Sequence, residues 1–276
     1  MLADQGPKNG TIVNKFLAIA SVERTGSTLL CSILRGTGMA GTPIEYLNIQ
    51  TNNFSRFRET HGVPRLKTHL LPLGTLRTIA GRRFPWRNID WFDDSSWREY
   101  LTAISEVNTT PNGVFGVKMH WNQYERHMLS RGLDVSFWNA PVKWVRITRR
   151  DEIRQAISFV RAAQTDSWNS SMQVKREPHY DPDAIVAALN RIEHENSCWS
   201  KYFNDNDIHP HHITFEELTR DTAPTIRKVM DYIGSPIDVV PDAQTKPQSD
   251  GINAEWARQL VERYPHLAHR HDVTHR

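Results

Sequence analysis

Cysteine, net charge and long apolar runs are all scarce in this sequence, and each shortage excludes a class of protein. Cys31 and Cys198 are the two cysteines among 276 residues, too few for a disulfide framework, so a reducing compartment is expected. Lys and Arg exceed Asp and Glu by only 34 to 31, which does not indicate nucleic acid as a partner. The apolar runs are too short to span a bilayer, and the polar start MLADQGPKNG lacks the apolar core of a signal peptide. We therefore expect a cytoplasmic protein with no transmembrane segment.

Histidine is abundant, but its arrangement does not predict a metal site. The 13 His residues include the clusters HPHHITF and HLAHRHDVTH, which lack a sustained set of ligands with Cys or carboxylates. We expect no metal, and we interpret the C-terminal cluster, within residues 265–276, as a flexible solvated tail. The chain otherwise has the composition of a folded protein, with 38% hydrophobic and 24% charged residues.

Apolar runs that fit buried strands alternate along the chain with segments of helical periodicity. Strands are predicted at 16–21, 113–119, 142–148 and 211–215. Four helices are predicted by their periodicity, at 27–36, 95–106, 221–234 and 253–264. Two more are predicted to begin directly after the capping residues Asp151 and Asp181. The alternation predicts an α/β fold over residues 1–276, a single domain with a central parallel sheet flanked by helices. Residues 48–110, which are polar and rich in aromatics, are predicted to form an inserted cap.

The stretch SVERTGST predicts a loop that binds an anion. A strand ends here and a helix begins at Gly26 and Ser27, where unpaired N–H groups and the positive end of the helix dipole favour negative charge. Thr28 adds a hydroxyl, and Arg24 adds a planar cation suited to phosphate or sulfate oxygens. The Lys of the triphosphate-binding loop is missing, which argues against ATP or GTP. The spacing alone fits an ordinary capped turn almost equally well.

A second group of basic residues follows the third predicted strand. Arg149 and Arg150 lie at its carboxyl end, the edge where parallel sheets bind ligands. Ser158 follows on the polar side of the next helix, and with Arg150 it could hold a second anion, separate from the first. The alternative is that Arg150 pairs with Asp151 on the surface and that Arg161 belongs to a solvated helix face.

The two groups together resemble the sulfotransferases. In that family a loop of the form R/K-[ST]-G-[ST]-[ST] holds the 5′-phosphosulfate of 3′-phosphoadenosine 5′-phosphosulfate (PAPS), and an Arg followed by a Ser holds the 3′-phosphate. The stretches TGMAGTPIEYLN, NGVFGVKMHWNQ and TKPQSDGINAEW are more narrowly similar to the bacterial branch that includes trehalose and glycolipid sulfotransferases. The resemblance covers most of the chain and is weakest over 48–110 and 166–181. The residues that it assigns to the cofactor are Arg24, Thr25, Gly26, Ser27, Thr28, Arg150, Ser158 and Lys246.

The resemblance implies a P-loop-NTPase-like sulfotransferase fold and in-line transfer of a sulfuryl group from PAPS to a hydroxyl of a sugar or glycolipid. It gives the role of base to Glu45, which matches the Glu of the branch's GxPxEFF stretch, and it places Lys118 beside the transferring group. A sulfuryl group carries less negative charge than a phosphoryl group, so no metal is required. Members of the branch tend to dimerise, and a homodimer is expected on that ground.

Three alternatives stay open at this stage. Cytosolic sulfotransferases use the His of a KTH motif as the base, and His69 and His120 both lie in similar strings; His120 is preferred because it ends a predicted strand. A P-loop small-molecule kinase is the second alternative, against which the missing loop Lys argues. The third is a binding protein without catalysis, because Glu23 could pair with Arg24 and weaken anion binding.

Overall fold

The computed structural model describes residues 12–49, 59–60, 62–63, 93–168, 175–243 and 251–271. In these ranges the strands are β1 Lys15–Ser21, β2 Val114–His120, β3 Val142–Thr148 and β4 His211–Thr214. The helices are α1 Ser27–Gly36, α2 Asp94–Asn108, α3 Trp121–His127, α4 Glu152–Thr165, α5 Pro182–Asp205, α6 Phe215–Arg220, α7 Thr222–Tyr232 and α8 Gly251–Arg263. Short 3₁₀ turns lie at Leu129–Arg131, Val135–Trp138 and Pro265–Arg270.

The four strands form one parallel sheet in the order β2-β1-β3-β4. In the register, Phe16 of β1 lies opposite Phe115 of β2 and Val142 of β3. Because the strands run in one direction, their carboxyl ends meet at a single edge, which we call the carboxyl edge. The predicted α/β fold with a central parallel sheet flanked by helices is confirmed.

Strand β1 is apolar from Phe16 to Ala20 because helices cover both faces of the sheet. Phe16, Ala18 and Ala20 pack into a core formed with α2, α3, α4, α5 and α8. Leu17 and Ile19 point the other way, into a second core formed with α1, α6 and α7. All five side chains are fully buried, so the position of the loop that follows β1 is firmly fixed.

Two helix starts that the sequence predicts are confirmed in detail. The Asp151 carboxylate accepts a hydrogen bond from the Arg154 N–H at 2.9 Å and caps α4. Asp181 caps α5 in the same way, through the Ala184 N–H at 2.9 Å, and Pro182 occupies the first turn. Such a cap contributes about 1 kcal/mol to stability, because it satisfies an N–H that has no partner within the helix.

The C-terminal segment differs from the predicted flexible tail. Helix α8 begins at Gly251, and the residues after it form a 3₁₀ turn with Leu267 buried in the first core. The Arg270 guanidinium pairs with Glu152 at 2.6 Å and with Glu193 at 3.2 Å. In the structure, residues 265–271 are thus held by one apolar anchor and by the ion pairs of Arg270, whereas 272–276 lie outside the described residues.

The predicted cap is described only in part. Its helix is α2, somewhat longer at each end than the predicted 95–106. Residues 50–58, 61 and 64–92 lie outside the described residues, and His69 is among them. No helix in the described ranges is both long enough and apolar enough to cross a membrane.

Candidate active site

The loop between β1 and α1 has a backbone shape that few sequences allow. Arg24 and Gly26 both adopt left-handed φ angles, of 65° and 80°. The Thr25 hydroxyl donates to the Val22 carbonyl at 2.9 Å and closes the turn. A Cβ on Gly26 would lie 2.5 Å from a ring carbon of Phe215, the first residue of α6. Gly26 also supplies no side chain to cap α1, so the first N–H groups of the helix have no capping side chain from this residue.

Replacing Gly26 by Ala is expected to lower the free energy of unfolding by about 2–5 kcal/mol, combining the cost of a left-handed alanine with that of overpacking. Gly38 is the matched control, because it has a similar φ of 66° and a Cβ added there would meet no atom within 4 Å. Gly38→Ala should cost only the left-handed term, about 1–2 kcal/mol. Urea unfolding of both variants measures the difference, and equal losses would show that the Phe215 ring moves aside.

Three arginines converge beside this loop. Arg24 Nε donates to Ser158 Oγ at 2.8 Å and Arg24 Nη1 donates to the Trp168 carbonyl at 2.6 Å. Arg149 Nη1 points at the Arg24 carbonyl from 3.4 Å. Burial, followed by the charges of Arg149 and Arg161, lowers the pKa of the Arg24 guanidinium to about 10. Like charges gathered at a partly buried place favour an anionic ligand. We call Arg24, Arg149 and Arg161 the arginine cluster.

Neighbouring elements hold the cluster in place. The Arg149 guanidinium stacks over the Phe215 ring at 4.6 Å. Arg161 Nη1 donates to Asn253 Oδ1 at 2.5 Å, and its guanidinium lies 6.0 Å from the centre of the Trp256 ring. The alternative of a solvated helix face does not hold for Arg161, because its partner lies in α8, 92 residues away, where no local pattern could reveal it. Arg149, in contrast, could be found from the sequence, because Arg149 and Arg150 directly follow a predicted strand.

The structure joins the two groups that were expected to hold separate anions. Ser158 is 8% exposed and accepts its hydrogen bond from Arg24. The Arg150 N–H donates to both Glu216 carboxylate oxygens at 3.2 Å, and the Arg150 side chain, 45% exposed, has its Nε 3.7 Å from the same carboxylate. Lys246 lies outside the described residues.

A carboxylate centre lies on the other side of the loop. Lys118 Nζ lies 2.6 Å from Glu45 Oε1, and His120 Nε2 lies 3.4 Å from the same oxygen. Asn48 Nδ2 and Gln123 Nε2 each donate to Glu45 Oε2 at 2.9 Å. The three residues that the sequence offers as candidates for catalysis, Glu45, Lys118 and His120, are therefore brought together.

The chain segment before Glu45 explains why the carboxylate reaches this place. Ile44 forms a parallel bridge with β2, and its carbonyl accepts from the Lys118 N–H at 3.0 Å. The close approach requires glycine, because a Cβ on Gly116 would lie 2.5 Å from the Ala40 carbonyl oxygen. The bridge sets Glu45 directly beside Lys118, which ties the TPIEYLN stretch to the GVKMH stretch.

The protonation of this centre follows from its contacts. Burial raises the pKa of the Glu45 carboxyl, but the charges and hydrogen bonds of Lys118 and His120 outweigh burial and hold that pKa well below its usual range. For His120, burial lowers the pKa, while the Glu45 and Glu23 carboxylates raise it above its ordinary value overall. The other ring nitrogen, Nδ1, lies 3.1 Å from Ser21 Oγ. The raised pKa of His120 and its position beside Glu45 Oε1 suit a donor to that carboxylate.

Lys118 connects the two halves of the carboxyl edge. Besides its pair with Glu45, its Nζ donates to Thr28 Oγ1 at 3.1 Å, at the start of α1. The carboxyl edge thus carries the arginine cluster beside the loop and, next to α1, Lys118 paired with the Glu45 carboxylate. This arrangement is typical of transferases that move an anionic group from a donor to a hydroxyl.

Comparison with known sequences narrows that class. The chain belongs to the Stf0 sulphotransferase family, whose model matches residues 16–264. A protein named trehalose 2-sulfotransferase from Mycolicibacterium smegmatis is 30% identical, over 92% of this chain and 96% of that protein. A protein of the same name from Mycobacterium tuberculosis is 28% identical, over 92% and 97%. Among solved structures, the sulfotransferase domain of the Synechococcus PCC 7002 olefin synthase matches 95% of this chain and 98% of that chain, with 16% identity and a TM-score of 0.42.

Proposed function

We propose that the protein transfers a sulfuryl group from PAPS to a hydroxyl of a carbohydrate. Family membership supports the reaction class, and the two relatives named trehalose 2-sulfotransferase support a sugar acceptor. The observation that carries the proposal is the position of Lys118, whose Nζ lies 2.6 Å from Glu45 and 3.1 Å from Thr28. One cation is thereby within reach of both the candidate base and the stretch SVERTGST, residues 21–28, which we call the anion loop.

The donor is proposed to lie along the carboxyl edge, with its phosphosulfate on the loop. Arg24 and the first N–H groups of α1 would bind the phosphosulfate oxygens, in place of the metal that triphosphate enzymes use. The arginine cluster would take the remaining phosphate charge of the nucleotide. The full set of residues proposed to bind the donor is Arg24, Thr25, Gly26, Ser27, Thr28, Arg149, Arg150, Ser158, Arg161 and Lys246.

The proposed transfer is in line and has a loose transition state. The bond from sulfur to the bridging oxygen of the donor breaks while the bond from sulfur to the acceptor oxygen forms. The electron pair leaves with 3′-phosphoadenosine 5′-phosphate (PAP), and the acceptor proton goes to Glu45. Lys118 and Arg24 stabilise the negative charge that spreads over the peripheral sulfuryl oxygens.

The low pKa of Glu45 fits a late proton transfer. A carboxylate is a weak base for an alcohol, but in a loose transition state the hydroxyl is still protonated when the donor bond breaks. The carboxylate then needs only to accept the proton as the new bond forms. Glu45 Oε1 holds Lys118 and His120, so binding of the sulfuryl group to Lys118 would make room on that oxygen for the acceptor hydroxyl.

The contacts of Glu23 bear on the alternative of a binding protein without catalysis. The sequence favours that alternative only because Glu23 could pair with the neighbouring Arg24 and weaken anion binding. In the structure the Glu23 carboxylate pairs with Arg191 of α5, while Arg24 turns to Ser158. The argument for a non-catalytic protein therefore loses its support.

Ligand binding without metal is the direct test. PAP in the presence of EDTA is expected to raise the free energy of unfolding by about 2.7 kcal/mol at a concentration near a hundred times its Kd, whereas ATP with Mg²⁺ should have a much smaller effect. Thermal unfolding measures the shift, and transfer of labelled sulfate from PAPS to trehalose then tests the acceptor. A larger shift with ATP and Mg²⁺ than with PAP would favour a kinase.

A further inference from the structure

Behind the anion loop lies a row of charged side chains that the proposed transfer does not use. Arg191 of α5 pairs through Nη2 with the Glu23 carboxylate and through Nε with Glu195 Oε1, at 2.9 Å. Its guanidinium also lies over the Phe159 ring, 4.9 Å from the centre. We call Glu23, Arg191 and Glu195 the charged triad.

The triad reaches the donor site through the backbone. Glu23 directly precedes Arg24, and its carbonyl accepts from Gln155 Nε2 at 2.7 Å, so that α4 holds the same residue from a second side. Gln155 is fully buried and the Glu23 side chain is only 20% exposed. Two helices thus fix which way the Glu23 carboxylate points.

The three charges of the triad affect one another's pKa values. Burial lowers the pKa of Arg191, but the Glu23 and Glu195 carboxylates together raise it above its ordinary value. Burial and the charge of Glu23 raise the pKa of Glu195 despite the pull of Arg191. Without Arg191, the Glu23 carboxylate of the anion loop would lose the cation that pairs with it.

We propose that Arg191 is a positioning residue for the donor site. By binding the Glu23 carboxylate, it keeps that carboxylate from pairing with Arg24 and from repelling the phosphates of the donor. Arg24 thereby keeps its hydrogen bonds to Ser158 and to the Trp168 carbonyl, and it can bind an anion of the PAPS type. The inference rests on the proposed function only in the identity of that anion.

Changing Arg191 to Gln is expected to raise the Kd for PAP about tenfold or more, as measured by isothermal titration calorimetry in EDTA. The double variant Glu23→Gln with Arg191→Gln should return the Kd to within about twofold of the unchanged protein, because no carboxylate is left to compete. Both variants leave the buried Glu195 without its partner, so both should melt at a lower temperature. Loss of a merely structural contact would therefore weaken binding in both.

The chain offers a matched control and a milder substitution. Arg258 bridges Glu255 and Glu262 on the exposed face of α8, at 2.6 and 2.7 Å, so Arg258→Gln removes the same kind of bridge away from the loop and should leave the Kd unchanged. Arg191→Lys keeps the charge and loses the fork, and it serves if Arg191→Gln does not fold. Its expected rise in Kd, about twofold to fivefold, should also disappear with Glu23→Gln.

Two results would overturn the inference alone: a Kd for Arg191→Gln within about twofold of the unchanged protein, or weak binding that persists when Glu23→Gln is added. Failure of the unchanged protein to bind PAP would instead overturn the proposed function, and this inference with it. Restored affinity together with an unrestored melting temperature supports the positioning role.

Discussion

Glu45→Gln is expected to lower kcat for sulfate transfer by between about a hundredfold and ten-thousandfold, the usual contribution of a positioned base. The amide keeps the size of the side chain but cannot take the proton of the acceptor hydroxyl. The Kd for PAP should change little, because the arginine cluster, which would hold the phosphates, lies on the other side of the loop. Transfer of labelled sulfate at saturating donor measures kcat, and calorimetry measures the Kd.

The control for this experiment is Glu125→Gln, an exposed carboxylate on α3 that should leave kcat unchanged. A melting curve of Glu45→Gln belongs with the kinetics, because the substitution also removes the charged partner of the buried Lys118. Activity can then be referred to the folded fraction. If Glu45→Gln stays active and His120→Ala does not, the histidine is the base.

Arg24→Ala is expected to raise the Kd for PAP about a hundredfold. A hydrogen bond to a charged group contributes about 1.5–3 kcal/mol, so the loss of a two-pronged contact amounts to about 3 kcal/mol. Because Arg24 also faces the transferring group, kcat should fall as well, by about a hundredfold. Calorimetry with PAP and steady-state kinetics with PAPS separate the two effects.

Substitutions at the same position make the result specific. Arg24→Lys keeps the charge without the planar fork and should fall between Ala and the unchanged protein. Arg24→Gly loses the same side-chain contacts as Arg24→Ala but relieves the left-handed backbone, at φ 65°, so it should be about 1 kcal/mol more stable than Arg24→Ala while binding PAP as poorly. Arg220→Ala, on the exposed end of α6, is the control. Binding of PAP by Arg24→Ala with unchanged affinity would remove Arg24 from the donor site.

Local features of the fold could be predicted from the sequence because neighbouring residues determine them. The run FLAIA is apolar at every position, which is typical of a strand covered on both faces. Asp181 followed by Pro182 defines a helix start by the chemistry of two adjacent residues. The C-terminal turn escaped prediction because its anchors, Glu152 and Glu193, belong to helices far away in the sequence.

In the candidate site, too, local features could be predicted from the sequence and long-range contacts could not. The turn between β1 and α1 could be predicted because its residues are contiguous, and the resemblance to sulfotransferases drew attention to Glu45 and Lys118 by their motifs. The hydrogen bond from Arg24 to Ser158 joins residues 134 positions apart, and the bridge from Arg191 to Glu23 spans 168. Such long-range pairings depend on how the helices pack against the sheet, and a local sequence pattern does not predict that packing.

The strand order has a consequence for how such a protein can vary. β1 lies between β2, which carries Lys118 and His120, and β3, which leads to Arg149. The sugar and the adenosine would therefore dock over opposite flanks of a central strand, with the reacting sulfur above it. Substitutions on the β2 side could then change which acceptor binds, while the nucleotide-binding residues on the β3 side stay the same.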